Sequence, residues 1–254
     1  MSFDQRTDKK LKRKTMKNFR YLTVIALSLS IFCCAECQPR KTVHGNGNVV
    51  KKERNADNFT GVSTSSAIDV ILSQGDKNSI VVEADENLHE YILTELKNGT
   101  LHIYTDANIR DAEEKKVHVT MKEISFIGTS SAGDVLGITP LKTGKLKLSA
   151  TSAGDIKAEV YTSEIDISAS SSGDVTLTGE ADFLEARLSS AGDLNAFNLK
   201  VKEADVNVSS AGDADIFVTG RLVARASSAG DINYKGNPET VDARSSSAGG
   251  INRK

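Results

Sequence analysis

The sequence predicts an all-β fold: a single-stranded, right-handed parallel β-helix, a solenoid with coils of about 20 residues, that begins with a less regular N-terminal cap. Three observations predict it. The phrase Ser-Ser-Ala-Gly-Asp occurs in seven copies with small variations, and polar and apolar residues alternate between the copies. Aromatic residues make up only 5% of the 254 residues, and Trp is absent. A core without large rings must be filled by Val, Ile, Leu and Ala, which suits stacked strands.

Residues 1–37 have the pattern of a secretory signal peptide and are not expected to join the fold. Basic residues cluster between Lys9 and Arg20, and the apolar run YLTVIALSLSIFCC follows them. This order is that of a signal sequence, and the run is shorter than the roughly 20 residues of a membrane-spanning helix. Met16 opens a complete signal of its own and is therefore a possible true start. Cleavage is expected after Cys37.

Export carries further expectations about location and partners. The chain is expected in the periplasm, at the outer membrane surface or outside the cell. All three cysteines lie in or beside the signal, so the mature chain would contain no disulfide. Contact with a membrane is expected only through a lipid anchor, the alternative to simple cleavage, on Cys33, Cys34 or Cys37. Removing 1–37 takes away eight of 32 basic and three of 34 acidic residues, which leaves 24 and 31 and a net charge of −7. Such an acidic chain argues against nucleic acid as a partner.

Residues 38–120 are predicted to hold N-terminal strands, a hairpin and the cap. The stretch STSSAIDVIL at 63–72 looks like a worn copy of the repeated phrase, with Ile68 in the glycine position, and so predicts an early coil. The stretch ADENLHEYI predicts a short helix capped by Asp85, and Asn98-Gly99 suits the type I′ turn of a hairpin. Strands are expected at 78–84, 92–97, 100–105 and 115–121. This region would cover the open end of the rod.

Residues 121–254 are predicted to form the β-helix repeat array. Aligning the seven phrases puts one glycine of each in the same position, and successive glycines are separated by 21, 19, 19, 20, 18 and 19 residues. These corner glycines are Gly133, Gly154, Gly173, Gly192, Gly212, Gly230 and Gly249. Self-similarity at such a period indicates a solenoid.

The residues between the phrases alternate with the period of two that is typical of a strand. After the second corner, for example, Ile156, Ala158 and Val160 are expected to face the core. A unit of this length has no room for a helix, so each coil is expected to contain a strand, the corner, a second strand and a looser return. Equivalent strands of successive coils would then pair in parallel, about 4.8 Å apart.

The corner itself is interpreted as a structural device and not a catalytic one. The residues expected to point inward are Ser and then Gly, as in Ser190 and Gly192. Two strand layers converge there, so a larger side chain would not fit. Glycine also permits positive φ where the backbone folds back.

Six aspartates follow the corner glycines and are predicted to stack in one row, called the Asp row: Asp134, Asp155, Asp174, Asp193, Asp213 and Asp231. Two unit charges 4.8 Å apart repel by about 0.9 kcal/mol even in water, so something must offset the repulsion. Hydrogen bonds from adjoining backbone N–H groups and serine hydroxyls would do so. The alternatives are bound cations, with Ca²⁺ favoured because it takes several oxygen ligands, and a carboxylate-lined groove for a substrate. Gly250 replaces the aspartate of the last copy, which would relieve repulsion at that end.

No catalytic residue, no cofactor other than that Ca²⁺ and no firm metal site is predicted. The four histidines lack metal-ligand spacing and are expected to be surface or strand residues: His44, His89, His102 and His118. A catalytic triad needs one histidine that reaches one serine, and a repeat offers no unique nucleophile. Three arginines on outward strand positions are expected to form exposed salt bridges with acidic neighbours: Arg187, Arg225 and Arg244 with Glu185, Asp205 and Asp242.

The serial corners, the closing SSAGGIN at 246–252 and the opening FTGVSTSSAIDVILSQGD at 59–76 resemble the head GIN domain family of putative auto-transporter adhesins. The resemblance covers roughly residues 43–254. It implies an exported Gram-negative protein with a right-handed β-helix, similar to pectin lyases in shape, with adhesion as its role and no recognised catalytic residues. The family's corners usually read Ser-Gly-Ser-Gly-Asp, whereas Ala often replaces one of these residues here and Ile68 departs further.

Together these observations predict an exported, non-enzymatic β-helix that serves in cell-surface adhesion or as a scaffold for a ligand or partner, either a surface glycan or a protein. The alternative is a carbohydrate-binding or lyase-like carbohydrate-active β-helix that uses the face lined by the Asp row. The edge of the final strand is expected to be open. Association into a homo-oligomer is therefore an option, although Arg253 and Lys254 would discourage it.

Overall fold

The computed structural model of the protein describes residues 40–254, so the predicted signal peptide and its cysteines lie outside the described residues. Strands account for nearly all regular structure in this range, and the one helical segment is a 3-10 turn at Glu86–Leu88. In the described range no helix is long and apolar enough to span a membrane. The first nine strands are β1 (Thr42–His44), β2 (Val49–Arg54), β3 (Gly61–Thr64), β4 (Asp69–Gln74), β5 (Ser79–Asp85), β6 (Ile92–Lys97), β7 (Thr100–Thr105), β8 (Asn108–Arg110) and β9 (Lys115–Met121).

The remaining ten strands form the repeat array. They are β10 (Phe126–Thr129), β11 (Val135–Gly137), β12 (Leu141–Thr151), β13 (Asp155–Ser170), β14 (Asp174–Ser189), β15 (Asp193–Val208), β16 (Asp213–Ala226), β17 (Asp231–Lys235), β18 (Thr240–Ser245) and β19 (Gly250–Arg253). The strands from β13 to β16 are long because each runs without a break from one corner round to the next. Here the segment before a corner is called the upstream strand, and the segment after it the downstream strand.

Equivalent strands stack in parallel and in register, apart from shifts in the β14–β15 and β15–β16 ladders, which confirms the predicted solenoid. The upstream ladder runs β7, β3, β10, β12, β13, β14, β15, β16 and β18, and the downstream ladder runs β9, β4, β11, β13, β14, β15, β16, β17 and β19. The molecule is a β-solenoid of about seven turns with coils of about 19 residues.

The interior of the coils is filled by aliphatic side chains at every second position. Ile156, Ala158 and Val160 are buried as predicted, and so are most of their counterparts in the other coils up to Ile232. Because the alternation matches the strand period, the same face of every strand lies inside. No aromatic ring is buried among the inward positions of β12 to β17. This agrees with the low aromatic content of the sequence.

The N-terminal region closes one end of the solenoid, as predicted. The early coil is real: β3 and β4 flank a corner at residues 65–68 and lie directly under β10 and β11. An insertion then extends the ladders by β7 and β9, after which antiparallel strands take over. β6 pairs with β7, β5 with β9, and β2 with β5. The parallel edge is therefore covered by antiparallel pairing, which protects it from other chains.

The local predictions for this region are largely confirmed. The four expected strands are β5, β6, β7 and β9, and Asn98 and Gly99 have φ of 52° and 76°, as a type I′ turn requires. The predicted helix is only the 3-10 turn, and the expected cap is wrong: the Asp85 side chain makes no cap hydrogen bond. Its buried carboxylate accepts N–H bonds from Gly47 at 2.8 Å, Glu113 at 3.0 Å and Glu114 at 3.1 Å. Burial favours a raised pKa for Asp85, but these N–H donors outweigh it and hold the pKa below its usual value.

Each corner is a four-residue turn with the same backbone conformation. The two residues before the glycine position have positive φ, as in Ser190 (52°) and Ala191 (56°), which is the φ pattern of a type I′ turn. The Gly192 N–H donates to the carbonyl of Ser189 at 3.0 Å, and the Ala191 N–H donates to the carbonyl of Ser210 in the next coil at 3.1 Å. Equivalent bonds link the corners from residue 67 to residue 247 into a ladder of their own.

Two expectations about the corner are wrong. None of the seven corner glycines has a positive φ; the left-handed residues are the two that precede each glycine, Ser and Ala except at Gly173, where they are Ser171 and Ser172. Ser190 is exposed and only Gly192 is buried. The reason for both is that the period-two alternation of the strand stops where the turn begins.

Space is what demands glycine at the corner, as the sequence predicted. A β-carbon on Gly173 would lie 2.5 Å from the carbonyl carbon of Ala150, and one on Gly192 would lie 2.5 Å from that of Ala169. In both cases the obstacle is the backbone of the preceding coil. Ile68 can replace glycine because, among the described residues, its corner is the first and no corner lies beneath it.

Candidate functional site

The six predicted members of the Asp row do lie in one row along the downstream edge of the corners. Asp155, Asp174 and Asp193 are direct register partners, as are Asp213 and Asp231. Backbone hydrogen bonds complete the row. The carboxylate of Asp134 accepts the N–H of Asp155 at 3.1 Å, and that of Asp193 accepts the N–H of Asp213 at 2.9 Å.

The row has a seventh member that the sequence analysis missed. Asp69 precedes Val70, the register partner of Val135, and so lies next to Asp134. The worn corner SSAID at 65–69 keeps this aspartate although it loses the glycine, and that signal could have identified it. Lys116 pairs with Asp69 at one end of the row, and Gly250 pairs with Asp231 at the other. Both ends therefore lack a further carboxylate.

The stacking of carboxylates changes their titration. The pKa values of Asp69, Asp155, Asp174 and Asp213 are raised, first by burial and then by the charge of neighbouring row members. Backbone N–H donors act in the opposite direction but do not cancel the shift. The Asp row thus holds carboxylates that release their protons less readily than ordinary surface aspartates.

Cation binding by the Asp row stays a prediction. In the part of the chain that the structure describes, no three His, Cys, Asp or Glu side chains are grouped closely enough to hold a metal ion. The outward positions two residues after the row carry mixed side chains, with one further carboxylate, Asp215, between Asn195 and Asn233. Asn233 donates to Asp215 at 2.9 Å and receives a bond from Asn252 at 3.4 Å, which forms a short polar ladder.

The upstream strands present a second polar surface, called the Arg–Ser face. Its central row consists of register partners on successive coils: Ser149, Ser168, Arg187, Asn207, Arg225 and Arg244. Beside it, nearer the corner, runs a row of Ser170, Ser189, Ser209, Ser227 and Ser246. Apart from Ser149, the residues of these rows line a shallow groove of about 520 Å³ along the solenoid.

Acidic residues flank the groove on the side away from the corner. Arg187 contacts Asp166 at 3.3 Å and also Glu185, Arg225 contacts Asp205 at 2.9 Å, and Arg244 contacts Asp242 at 3.2 Å. The predicted salt bridges are thus present. The arginine side chains remain between 46% and 72% exposed, so each guanidinium is still accessible from the groove.

The histidines are found in more varied places than predicted. His44, His102 and His118 lie on strands, but the expectation is wrong for His89, which is buried outside any strand. Its Nε2 lies 3.1 Å from the Val50 carbonyl oxygen, and burial lowers its pKa. The burial of His89 is explained by close packing behind the 3-10 turn. No pattern in the sequence indicates this burial.

One serine–histidine pair was missed. Ser63 Oγ lies 2.8 Å from His102 Nδ1, across the β3–β7 ladder. The two residues are 39 positions apart and come together only because the insertion folds back on the first coil. Glu95 is the antiparallel partner of His102, but its hydrogen bonds go to Lys97 and Tyr104 and lower its pKa. The pair therefore lacks the third group that would orient the histidine as a base.

Comparison with known proteins identifies a family whose model this chain matches. A family model described as "Putative auto-transporter adhesin, head GIN domain" matches residues 58–238, more than half of the chain. Among curated proteins none matches the chain.

Several solved structures share the fold. A putative adhesin from Bacteroides fragilis NCTC 9343 has a TM-score of 0.78 and 19% identity over 84% of this chain and 100% of that chain. A putative lipid binding protein from Parabacteroides distasonis ATCC 8503 has a TM-score of 0.69 and 24% identity over 84% and 100% of the two chains. A putative adhesin from Parabacteroides merdae ATCC 43184 has a TM-score of 0.62 and 22% identity over 84% and 99%. At these identities the likeness shows the fold alone.

Proposed function

Because the chain belongs to the head GIN domain family of putative auto-transporter adhesins, we propose that it is an exported, non-enzymatic β-helix whose Arg–Ser face binds a ligand at the cell surface. The family description and two of the similar structures name adhesins. The signal-like residues 1–37 support export. The surface that would carry out the binding has to be argued from the residues of this chain.

The observation that carries the proposal is the row of outward polar side chains along the Arg–Ser face. Arg187, Asn207, Arg225 and Arg244 occupy successive rungs, with a parallel row of serines beside them. Such a surface repeats its hydrogen-bond donors at the coil spacing of about 4.8 Å. A repeating, open and shallow surface fits an extended polymer better than a compact small molecule, which needs a deeper pocket.

The donors indicate what the polymer carries. A guanidinium has five N–H donors and no acceptor, and the contacts of Arg225 with Asp205 use only Nη1. The other donors can reach carboxylate or sulfate groups, which arginine binds in a bidentate manner. The serine hydroxyls, half-buried except at Ser246, can pair with sugar hydroxyls. We therefore infer that the ligand is an acidic glycan of the cell surface.

The test is binding of the purified protein to heparin and to polygalacturonate, with neutral dextran as a reference, by isothermal titration calorimetry. The triple variant R187Q/R225Q/R244Q should lose at least about tenfold in affinity, which is the loss expected when even one charge-assisted contact of about 1.5 kcal/mol is removed. A matched variant, K157Q/K200Q/K202Q, removes three positive charges away from the face and should bind normally.

Three results would contradict the proposal. Equal loss in both triple variants would mean that only net charge matters. Binding to anionic lipid vesicles but not to either glycan would transfer the role to a lipid, as the description of the Parabacteroides distasonis neighbour suggests for that protein. Release of unsaturated or shortened glycan products, abolished by a single Asp or Arg substitution, would make the protein an enzyme.

The alternative is a carbohydrate-binding or lyase-like role for the face lined by the Asp row. It is favoured by the raised pKa values of carboxyl groups such as Asp174, because perturbed carboxyl groups are common at functional sites. The double variant D174N/D193N separates the two ideas: it would weaken glycan binding, or a Ca²⁺-dependent rise in melting temperature, only if this face is the site.

A further inference from the structure

The last coil of the described chain differs from all the others in leaving its inner side open. Val241 and Ala243 of β18 are register partners of Leu222 and Ala224, which are completely buried. Val241 is nevertheless 43% exposed, and Ala243 is exposed as well. Two side chains that the alternation directs inward thus meet solvent, since no further rung covers them within residues 40–254.

Among residues 40–254 no strand pairs with the outer edge of β18, whose only ladder is with β16. Exposed edges of this kind template pairing with another strand. At the other end of the solenoid the antiparallel strands β6, β5 and β2 perform this covering. Among the described strands the two ends are therefore unequal: antiparallel strands cover one end and none covers β18.

The charges on β18 indicate the direction in which a further strand would pair. Within the stack, the parallel register places side chains of the same charge next to each other on successive coils, as with Arg225 and Arg244 or Glu185 and Asp205. Outward side chains of β18 alternate between Asp242 and Arg244, which are in contact at 3.2 Å. An antiparallel strand of the same sequence, centred on Ala243, would put Asp242 opposite Arg244 of the second copy and Arg244 opposite its Asp242. Opposite charges facing each other across a ladder are stabilising, and like charges are not.

We propose that the protein forms a tail-to-tail homodimer in which β18 pairs antiparallel with β18 of a second copy. The contact is isologous, so two-fold symmetry satisfies both edges and closes the assembly. The exposed Val241 and Ala243 of each copy would be covered by the other. Gly250 also favours the dimer. It occupies the aspartate position of the last rung, so the Asp row ends at Asp231 and no carboxylate of that row lies at the contact. The dimer would also join the two Arg–Ser faces, since β18 is the last rung of each.

The test is the mass of the purified protein by sedimentation velocity and light scattering across a concentration series. We expect a monomer–dimer equilibrium. D242R alone and R244D alone each put like charges opposite each other twice per dimer, and each should raise the dissociation constant about tenfold. The double variant D242R/R244D restores opposite pairs and should restore the dimer. The matched control D205R makes the same change two coils below, away from the edge, and should leave the equilibrium unchanged.

Hydrogen exchange gives an independent readout. Those amides of residues 240–245 that point away from β16 should become protected as the protein concentration rises, and D242R should remove this dependence. A monomer at every concentration overturns the proposal, as does a dimer that is insensitive to the single reversals. Protection of those outward amides in a monomer would likewise overturn it, because another part of the chain would then cover the edge.

Discussion

At the scale of single residues, the corner glycine is explained by contact with the coil beneath and not by backbone freedom. A β-carbon on Gly192 would lie 2.5 Å from the Ala169 carbonyl carbon, whereas φ at Gly192 is in the ordinary negative range. The left-handed conformation falls on Ser190 and Ala191, which pay a steric cost of about 1–2 kcal/mol each. Ile68 supports this explanation. It occupies the glycine position of the first described corner, and no other described corner lies beneath that one.

The first prediction concerns this contact. Gly192→Ala should lower the free energy of unfolding by about 1–3 kcal/mol, because the added methyl group overlaps backbone that cannot move without disturbing the ladder. Urea denaturation followed by circular dichroism measures it. Gly144→Ala is the matched control: it lies on β12 with no atom within 4 Å of its β-carbon position, and it should be neutral. Equal effects of the two changes would show that space is not the reason for glycine.

At the scale of elements, the corners and the Asp row are two ladders made by the same turn. The corner N–H groups bond from coil to coil, as from Ala191 to Ser210 at 3.1 Å, and these bonds offset the cost of the left-handed residues. The next position places a carboxylate on every rung. Backbone N–H donors, seen from Asp155 to Asp134 and from Asp213 to Asp193, offset part of the repulsion. Burial, together with the repulsion that remains, raises the pKa values of row members such as Asp174.

The second prediction follows from the sign of those shifts. The pKa of Asp174 is raised by burial and by Asp155 and Asp193, so its charged form is less stable in the fold than in the unfolded chain. This cost is present above the folded pKa and disappears as the pH falls below the unfolded value of about 3.9. Asp174→Asn should therefore raise the free energy of unfolding at pH 7 by about 0.2–1 kcal/mol, and the gain should shrink toward pH 4.

Urea denaturation at several pH values measures this difference. Asp76→Asn is the control, since Asp76 is an exposed carboxylate in the loop between β4 and β5, and it should leave stability unchanged throughout. A gain for Asp174→Asn that grows as the pH falls would contradict the assigned direction.

At the scale of the whole molecule, each rung contacts its neighbours only, so stability adds up along the stack and the ends decide solubility. One end is closed by the insertion that contains β5 to β9, and the other ends at β18 and β19. The insertion thus acts as a cap in the middle of the sequence: it leaves the stack after the first coil, covers the end, and returns to begin the second coil.

The third prediction tests that cap. The glycine positions at Ile68 and Gly133 are 65 residues apart, and excising the 45 residues 77–121 reduces the spacing to the ordinary 20. The shortened chain should keep its β-structure by circular dichroism but associate, because the edges of β3 and β4 lose β7 and β9. Dynamic light scattering measures the association. Excision of one coil, residues 155–173, keeps both ends and should change neither solubility nor state of association. A monodisperse product from the first excision would mean that the insertion is not the cap.

The sequence by itself determined the coil. The seven glycines, the aspartates and the alternation of Ile156, Ala158 and Val160 recur with the period of the structure, so stacking follows from strand geometry and needs no long-range information. The same holds for the Asp row and for the hairpin at Asn98-Gly99, since both are local patterns. Asp69, which the sequence analysis missed, could also have been identified from the altered corner SSAID at 65–69.

Only the tertiary structure decided what depends on packing between segments that no pattern relates. The left-handed Ser and Ala, the buried His89, the Ser63–His102 pair and the true partners of Asp85 all depend on which backbone atoms the neighbouring coil or the returning insertion brings near. The repeat period identifies which residues are equivalent. It does not indicate which positions of a turn have space for a side chain or which end of the stack is covered. Those outcomes are set by contacts between residues far apart in the chain, where steric fit and burial outweigh local preference.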